Sequence, residues 1–362
     1  MTALVYSENE LGKIDGKVTN GLIRHSEKYN IIGVIDSTKR GLDAGECLDG
    51  TKNGIPVFGS VDDAIELLDN IPEYFIYGIA PLDPNLNEDQ RKVIIRAMKM
   101  GMNIVNGLPE FFSEDKEFMQ NATKYGVSIN DIRKPPARKD LHIFTGKIND
   151  IKTPVVTVFG TDCAVGKRTT AVKLVKALKQ QGVNAIFIST GQTGLLQGSK
   201  YGIAIDVLSS GYSTGEVENA IIQAVEKENP DIIVVEGQGA LSHPAFTSSS
   251  AIINGAQPNA FIVQHPPKRV HRCDYPKIPM PSIASEIKLI ESFSNSRVIA
   301  ITVNHEDMTD DEVDDVVMAY ENEYMLPTAD VLKHGCDKLV NILVKLFPSL
   351  QQEKEAACQP QK

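Results

Sequence analysis

Tryptophan is missing from all 362 residues, and phenylalanine and tyrosine bring the aromatic content to only 6%. A surface that stacks bases or sugars needs more rings than that, so an aromatic nucleic-acid or carbohydrate platform is disfavoured. Positive charge is also short: 37 basic against 47 acidic residues give a formal charge of -10, which repels polyanions, and no nucleic-acid partner is expected. No apolar run approaches the roughly 18 residues that a bilayer span needs, and the start MTALVYSENELGK has no basic segment followed by a long apolar one. The expectation is a cytoplasmic protein with no membrane partner. The five cysteines, Cys47, Cys163, Cys273, Cys336 and Cys358, are scattered, with no C-x-x-C pair and no histidine at zinc-ligand spacing. They read as reduced thiols, and no metal site is expected. What is present, 42% hydrophobic and 23% charged residues, suits a folded chain of about two domains acting on a small molecule.

Short apolar runs alternate with helix-like segments along the first third. ALVYS, IIGVIDS, GIPVFGS, YFIYGIAP and NIVNG read as strands. Between them, TNGLIRHSEKY reads as a helix capped by Thr19 or Asn20, SVDDAIELLD as a helix capped by Ser60, and EDQRKVIIRAMKMG as a helix closed by Gly101. Such a βαβ succession predicts a Rossmann-like parallel sheet over residues 1–140. The stretch DIRKPPARKDLHIFTGKINDIKTP, with Pro135 and Pro136, breaks the alternation and marks the domain joint. From Pro154 the alternation restarts and predicts a second, doubly wound α/β domain over 141–350. The tail 351–362, QQEKEAACQPQK, is polar and expected to fray.

The strongest local signal is VVTVFGTDCAVGKRTTAVKLVKAL. A buried strand ends at Gly160, a glycine-bounded loop follows, and a helix opens at about Lys167. That is the setting in which backbone N–H groups, the helix dipole and a lysine converge on a phosphate. Gly160, Thr161, Asp162, Cys163, Ala164, Val165, Gly166, Lys167, Arg168 and Thr169 are therefore the expected cofactor-binding residues. The spacing G-x-x-x-x-x-G-K is one residue longer than usual, and Arg168 stands where a magnesium-binding hydroxyl normally follows the lysine. A guanidinium there neutralises phosphate directly, so a bound pyrophosphate need not be hydrolysed.

GTDCAVGK resembles the elongated phosphate loop of dethiobiotin synthetase and its relatives, and DIIVVEGQGAL, RVIAITVN and LPTADVLKHG resemble their later landmarks in the same order. This implies a P-loop NTPase-like C-terminal domain, with Glu236 near the substrate or metal shell and Asn304 near an adenine. Over its whole length, from IIGVIDSTKRGLDAGECLDGTKNGIPVFGSVDDAI through VEGQGALSHPAFTSSSAIINGAQPNAFIVQHPPKR, the chain resembles the DgcN-type D-glutamate N-acetyltransferases. The resemblance implies transfer of acetyl from acetyl-CoA to an acidic amino acid, most specifically D-glutamate. The alternative is an ATP/Mg-dependent ligase or kinase of the dethiobiotin synthetase type acting on a small carboxylate. GIPVFGSVDDAI also resembles a strand and helix of CoA-binding domains, which leaves the donor two candidate homes, one in each domain. A homo-oligomer is expected.

Acyl transfer to an amine needs a base, stabilisation of a developing oxyanion, and close approach of the two reactants. Glu236, His243 and His265 are candidate bases; Glu236 and His265, together with Lys167, are taken as catalytic. The turns GQTG and EGQG follow strands, where open α/β sheets bind ligands, which places Gln192, Thr193 and Gln238 at the substrate. An acidic amino acid calls for a guanidinium fork, and Arg269, within the basic, proline-stiffened HPPKRVHRCDYPK, is assigned that part. Cys163 raises an acyl-cysteine route, although a small residue there also simply permits a tight loop. GKIDGK lacks the G-x-G-x-x-G fingerprint, so NAD is not expected.

Overall fold

Strands buried on both faces need continuous β-branched and aromatic runs, and strands joined through helices must run parallel. Both conditions hold twice in this chain. A computed structural model describes residues 1–351; the expected frayed tail, from residue 352 onward, lies outside the described residues. Two compact units emerge, Met1–Pro136 together with Gln192–Ser199, and Ala137–Gly191 together with the chain from Lys200.

In the first unit, β1 (Thr2–Tyr6), α1 (Lys17–Arg24), β2 (Asn30–Ile35), α2 (Ala44–Asp49), β3 (Val57–Phe58) and α3 (Val61–Leu67) are followed by β4 (Tyr74–Tyr77), α4 (Glu88–Lys99), β5 (Asn103–Asn106), α5 (Lys116–Tyr125) and β6 (Ile129–Asp131). The strands are all parallel, in the order β3-β2-β1-β4-β5-β6, the Rossmann arrangement with its reversal between β1 and β4. Alternation along β1 sends Leu4 and Tyr6 into one core, with Phe75, Tyr77, Phe112 and Phe118, and Ala3 and Val5 into the other, with Leu22, Ile76 and Val105. Ser60 caps α3 by accepting the Asp63 N–H, as its sequence suggests. Helix α1 differs from expectation: it opens at Lys17, after Gly16, and ends at Arg24. Neither Thr19 nor Asn20 is its cap, because both side chains have tertiary partners. Thr19 Oγ1 donates to Gly78 O at 3.1 Å, and Asn20 Nδ2 donates to Lys13 O at 2.9 Å.

The second unit contains β7 (Val155–Gly160), α6 (Lys167–Gln180), β8 (Ala185–Ser189), β9 (Tyr201–Gly202), α8 (Ser210–Glu228), β10 (Ile232–Glu236), α9 (Ser248–Ala256) and β11 (Ala260–His265). A hairpin, β12 (His271–Arg272) and β13 (Tyr275–Pro279), then leads to α10 (Ile283–Ser294), β14 (Arg297–Val303), α11 (Asp310–Tyr324), β15 (Thr328–Ala329) and α12 (Asp337–Leu346). Helix α7 (Gln192–Gln197) leaves this sequence for the first unit, where Gln197 Nε2 donates to Gly21 O at 2.7 Å and His25 O at 3.0 Å. The seven-stranded parallel sheet runs β15-β14-β11-β7-β10-β8-β9. Its central strands β7, β10 and β11 are buried at every residue, and their C-terminal ends carry Gly160, Glu236 and His265. The segment HPPKRVHRCDYPK, read as a loop, thus contains a hairpin, with Asp274 at φ +67 in its turn. Among the described residues no helix is long and apolar enough to cross a membrane.

Candidate active site

The loop from Gly160 to Gly166 is shaped by sterics before any ligand is considered. A Cβ at Gly160 would lie 2.8 Å from Gln264 O, so only glycine lets β7 pass its neighbour there. Gly166 has φ +103 and Ala164 φ +50, left-handed values that curl the chain back on itself. Gly166 is also the N-cap of α6, and no side chain caps the helix. The first turn of α6 contains no acidic residue, so its N–H groups and dipole lack the anionic compensation that a capped helix has. Lys167 folds onto the loop and donates from Nζ to Asp162 O at 2.6 Å. Burial lowers its pKa, and the negative groups of Cys163, Asp162 and Glu236 partly restore it. These donors fit a polyphosphate: backbone N–H groups of the loop, the Lys167 ammonium and the Arg168 guanidinium.

Behind the loop stands a hub at Asp162, wholly buried. Its Oδ2 accepts from Cys273 N at 2.6 Å and from Arg269 Nη1 at 3.1 Å. Arg269 Nη1 also donates to Cys163 O at 2.8 Å and Nη2 to Ala164 O at 3.3 Å, while Nε and Nη2 pair with Glu306. The fork expected to grip a substrate carboxylate is thus filled by the protein, and it holds three consecutive loop residues. Arg272, equally buried, donates to Thr161 O at 3.1 Å and Ser242 Oγ at 2.8 Å. Ser242 is anchored in turn by the buried Glu286, whose carboxyl burial raises above the ordinary range. By contrast, Lys268 pairs with Glu312 at the surface and Lys277 is exposed, so the basic segment divides into buried organisers and surface charge.

Three strand ends bring the other expected residues to this edge. Glu236, at the end of β10, accepts from Ser189 Oγ at 3.0 Å and Thr190 N at 3.2 Å. Burial raises its pKa against the opposing pull of Arg168, those two hydrogen bonds and Lys167. Gln238 Nε2 donates to Thr190 Oγ1 at 3.1 Å and so belongs to the same turn. His265, at the end of β11, is held through Nδ1 by Thr161 Oγ1 at 2.8 Å. Its pKa is lowered to about 4 by burial and by Arg269, which makes it a weak base near neutrality. Asn304, after β14, donates from Nδ2 to Val165 O at 3.0 Å, so its amide secures the loop. Thr169 is half-buried in the first turn of α6, whereas Thr170 Oγ1 donates to Gln264 Oε1. Gln192 and Thr193 are buried in α7, within the first unit.

His243 emerges more strongly from the structure than from the sequence, where only its place after EGQG spoke for it. Its side chain has no exposure, and Nε2 lies 3.5 Å from Asp162 Oδ1. Neither of those two atoms has a hydrogen-bond partner. Burial and the charge of Arg272 lower its pKa, which favours the neutral ring. Nδ1 accepts the Ala245 N–H at 3.2 Å, which leaves the ring proton on Nε2. Cys163 Sγ, an Asp162 carboxylate oxygen and a ring nitrogen of His243 lie within 4.8 Å of one another. That donor set is found around metals, but a ligating imidazole donates from its second nitrogen, and this one accepts there. Two guanidiniums also compete for Asp162.

Comparison with known proteins places the chain. A P-loop domain of unknown function, DUF1611_C, matches residues 142–340, and its Rossmann-like companion, DUF1611_N, matches residues 37–135. The chain belongs to the DUF1611 family. It is 32% identical over 272 residues to a D-glutamate N-acetyltransferase of a Pseudoalteromonas species, covering 74% of this chain and 80% of that one. A D-glutamate N-acetyltransferase of Tritonibacter scottomollicae is 26% identical over 275 residues, with the same coverage of both chains. The crystal structure of a DUF1611 family protein from Anabaena variabilis superposes with a TM-score of 0.87 at 28% identity, covering 95% of this chain and 99% of the other. The P-loop and Rossmann-like domains expected from the sequence are therefore those of the family.

Proposed function

We propose that this protein is an N-acetyltransferase that moves the acetyl group of acetyl-CoA to the amine of an acidic amino acid, D-glutamate in particular. The observation that carries this is the 32% identity to a D-glutamate N-acetyltransferase over 74% of the chain. The site supports it chemically. The loop N–H groups, Lys167 and Arg168 bind the phosphates of the donor. Glu236 takes the amine proton, its raised pKa bringing it closer to the working pH of a general base than a solvated carboxylate is. The turns at Gly191 and Gln238 receive the amino acid at the strand ends.

An ATP/Mg-dependent ligase needs a hydroxyl next to the phosphate-loop lysine. Here that position is Arg168, and Thr170 Oγ1 is already donated to Gln264. The test is release of CoA thiol from acetyl-CoA with D- or L-glutamate. Release that depends on the amino acid and favours the D form is expected. Absence of release with any acidic amino acid, combined with substrate-stimulated ADP formation from ATP and magnesium, would replace this function with the ligase.

A further inference from the structure

Cys163 occupies a position that the binding role of the loop does not explain. It is the residue before the left-handed Ala164, and Arg269 fixes its carbonyl. Its sulfur lies within 4.8 Å of the Asp162 and His243 side chains. Next to it stand the two wholly buried atoms without a hydrogen-bond partner, Asp162 Oδ1 and His243 Nε2. Asp162 Oδ1, at 3.5 Å, is too far from the His243 Nε2–H for a good hydrogen bond, and a buried N–H in that position gains from a closer acceptor. The side chain of Cys163 is partly exposed, so an incoming group can reach it. Cys163 interacts electrostatically with the Lys167 ammonium, lies in the loop that leads into the uncapped start of α6, and has a ring nitrogen of His243 within 4.8 Å. Asp162, a negative neighbour, is held by Arg269 and Arg272.

The geometry points to Cys163 as a nucleophile that carries the acyl group between donor and amine, with the His243 Nε2–H as the positioning donor that steadies its thiolate. In the first step the Cys163 thiolate attacks the acetyl carbonyl carbon of acetyl-CoA, a new C–S bond forms, the bond to the CoA sulfur breaks, and CoA leaves as its thiolate. In the second step the amine attacks the acetyl-cysteine, the C–S bond breaks, Cys163 returns as thiolate, and the proton lost by the amine passes to Glu236. Thioester replaces thioester in the first step, so no co-reactant is needed. Contacts of this kind are commonly long in an unliganded site and tighten when substrate is bound. The other described cysteines lack such surroundings. Burial pushes Cys273 up to about 12 and Cys336 up to about 11, and it raises Cys47 as well.

This inference rests on the acetyltransferase function proposed above, and the test separates the two. Wild-type protein is incubated with acetyl-CoA and no amine, then digested and mapped by mass. The expected result is one acetyl group on the peptide containing Cys163, labile to hydroxylamine and removed by D-glutamate as N-acetylglutamate. Initial rates should give parallel double-reciprocal lines. Cys163→Ala, shown to be folded by its circular dichroism and thermal melt, should lose roughly 10²-fold or more in kcat. His243→Gln should shift the pH profile of Cys163 alkylation by iodoacetamide to higher pH, a change that a merely structural histidine would not produce. Turnover with intersecting lines, no adduct and an active Cys163→Ala would overturn the inference while leaving the acetyltransferase function intact. Absence of any amine-dependent turnover would overturn both.

Discussion

The two parallel sheets differ in how the acid at a C-terminal strand edge is satisfied. At the end of β2 in the first unit, Asp36 is buried and fully engaged: Oδ2 accepts Leu11 N at 3.2 Å, and Oδ1 accepts Thr38 N at 3.1 Å and Thr38 Oγ1 at 2.6 Å. A carboxylate at this place in a Rossmann unit commonly binds ribose, yet here the chain following β1 fills that role with its own Leu11, wholly buried. Helices α2 to α5 are capped by Asp43, Ser60, Asn87 and Asp115, each followed by acidic residues in the first turn. At the corresponding edge of the second unit α6 has no side-chain cap, and Asp162 Oδ1 and His243 Nε2, 3.5 Å apart, are buried without a hydrogen-bond partner. In the first unit the acid after β2 and helices α2 to α5 are satisfied internally, although α1 is uncapped and Ser7 Oγ after β1 is buried without a hydrogen-bond partner; in the second unit the unsatisfied atoms gather beside the phosphate loop.

Substitutions at the two edges should separate accordingly. Glu236→Gln removes the base from the phosphate-loop edge and should lower kcat by roughly 10²- to 10⁴-fold. Because burial raises the Glu236 pKa in the folded state, the folded protein holds that proton more tightly than the unfolded chain does. Its stabilising contribution is complete below the unfolded pKa and is lost as pH rises through the folded one. Glu236→Gln should therefore melt higher than wild type at alkaline pH, where wild type must bury the charge, and a thermal melt across pH reads this directly. Lys167→Ala should weaken acetyl-CoA-dependent turnover by roughly 10²- to 10³-fold while the protein stays folded.

Asp36 and the α4 cap should respond only in stability. Asp36→Ala leaves Leu11 N and Thr38 N without their acceptor and should cost about 1–3 kcal/mol in urea unfolding, with kcat/KM unchanged. An equal loss of activity in Asp36→Ala would break the contrast. Smallest of all, Asn87→Ala removes the α4 cap and should cost about 1 kcal/mol, again without kinetic effect.

Legibility followed the same division. The run from Val155 to Gln180 announced itself, since strand, glycine loop and helix are contiguous and each has a local cause; α6 opens at Lys167, where its sequence suggests. Ser60 and Gly101 were readable for the same reason. What was hidden depends on partners distant along the chain. Arg269 and Arg272 look like surface charge beside Lys268, and only the return of the 266–274 segment to Asp162 shows that they are buried. His243 has no periodic signal, because its meaning lies in Asp162, 81 positions earlier. Thr19 looked like a cap but serves Gly78, 59 positions away. Helix α9, opened by three serines, has little local signal, whereas α11, rich in acid, carries a Thr309/Glu312 capping box and the stripe Val313, Val316, Val317 and Tyr320, which its sequence does display.

Binding of the acyl donor at the phosphate-loop edge of the second unit, and not at the β1–β2 edge of the first, is read by amide hydrogen exchange with and without acetyl-CoA. It predicts slowed exchange across residues 161–170 and at Thr190, with no change across residues 8–17 or 36–43. Protection confined to residues 8–17 and 36–43, with the phosphate loop unaffected, would contradict it.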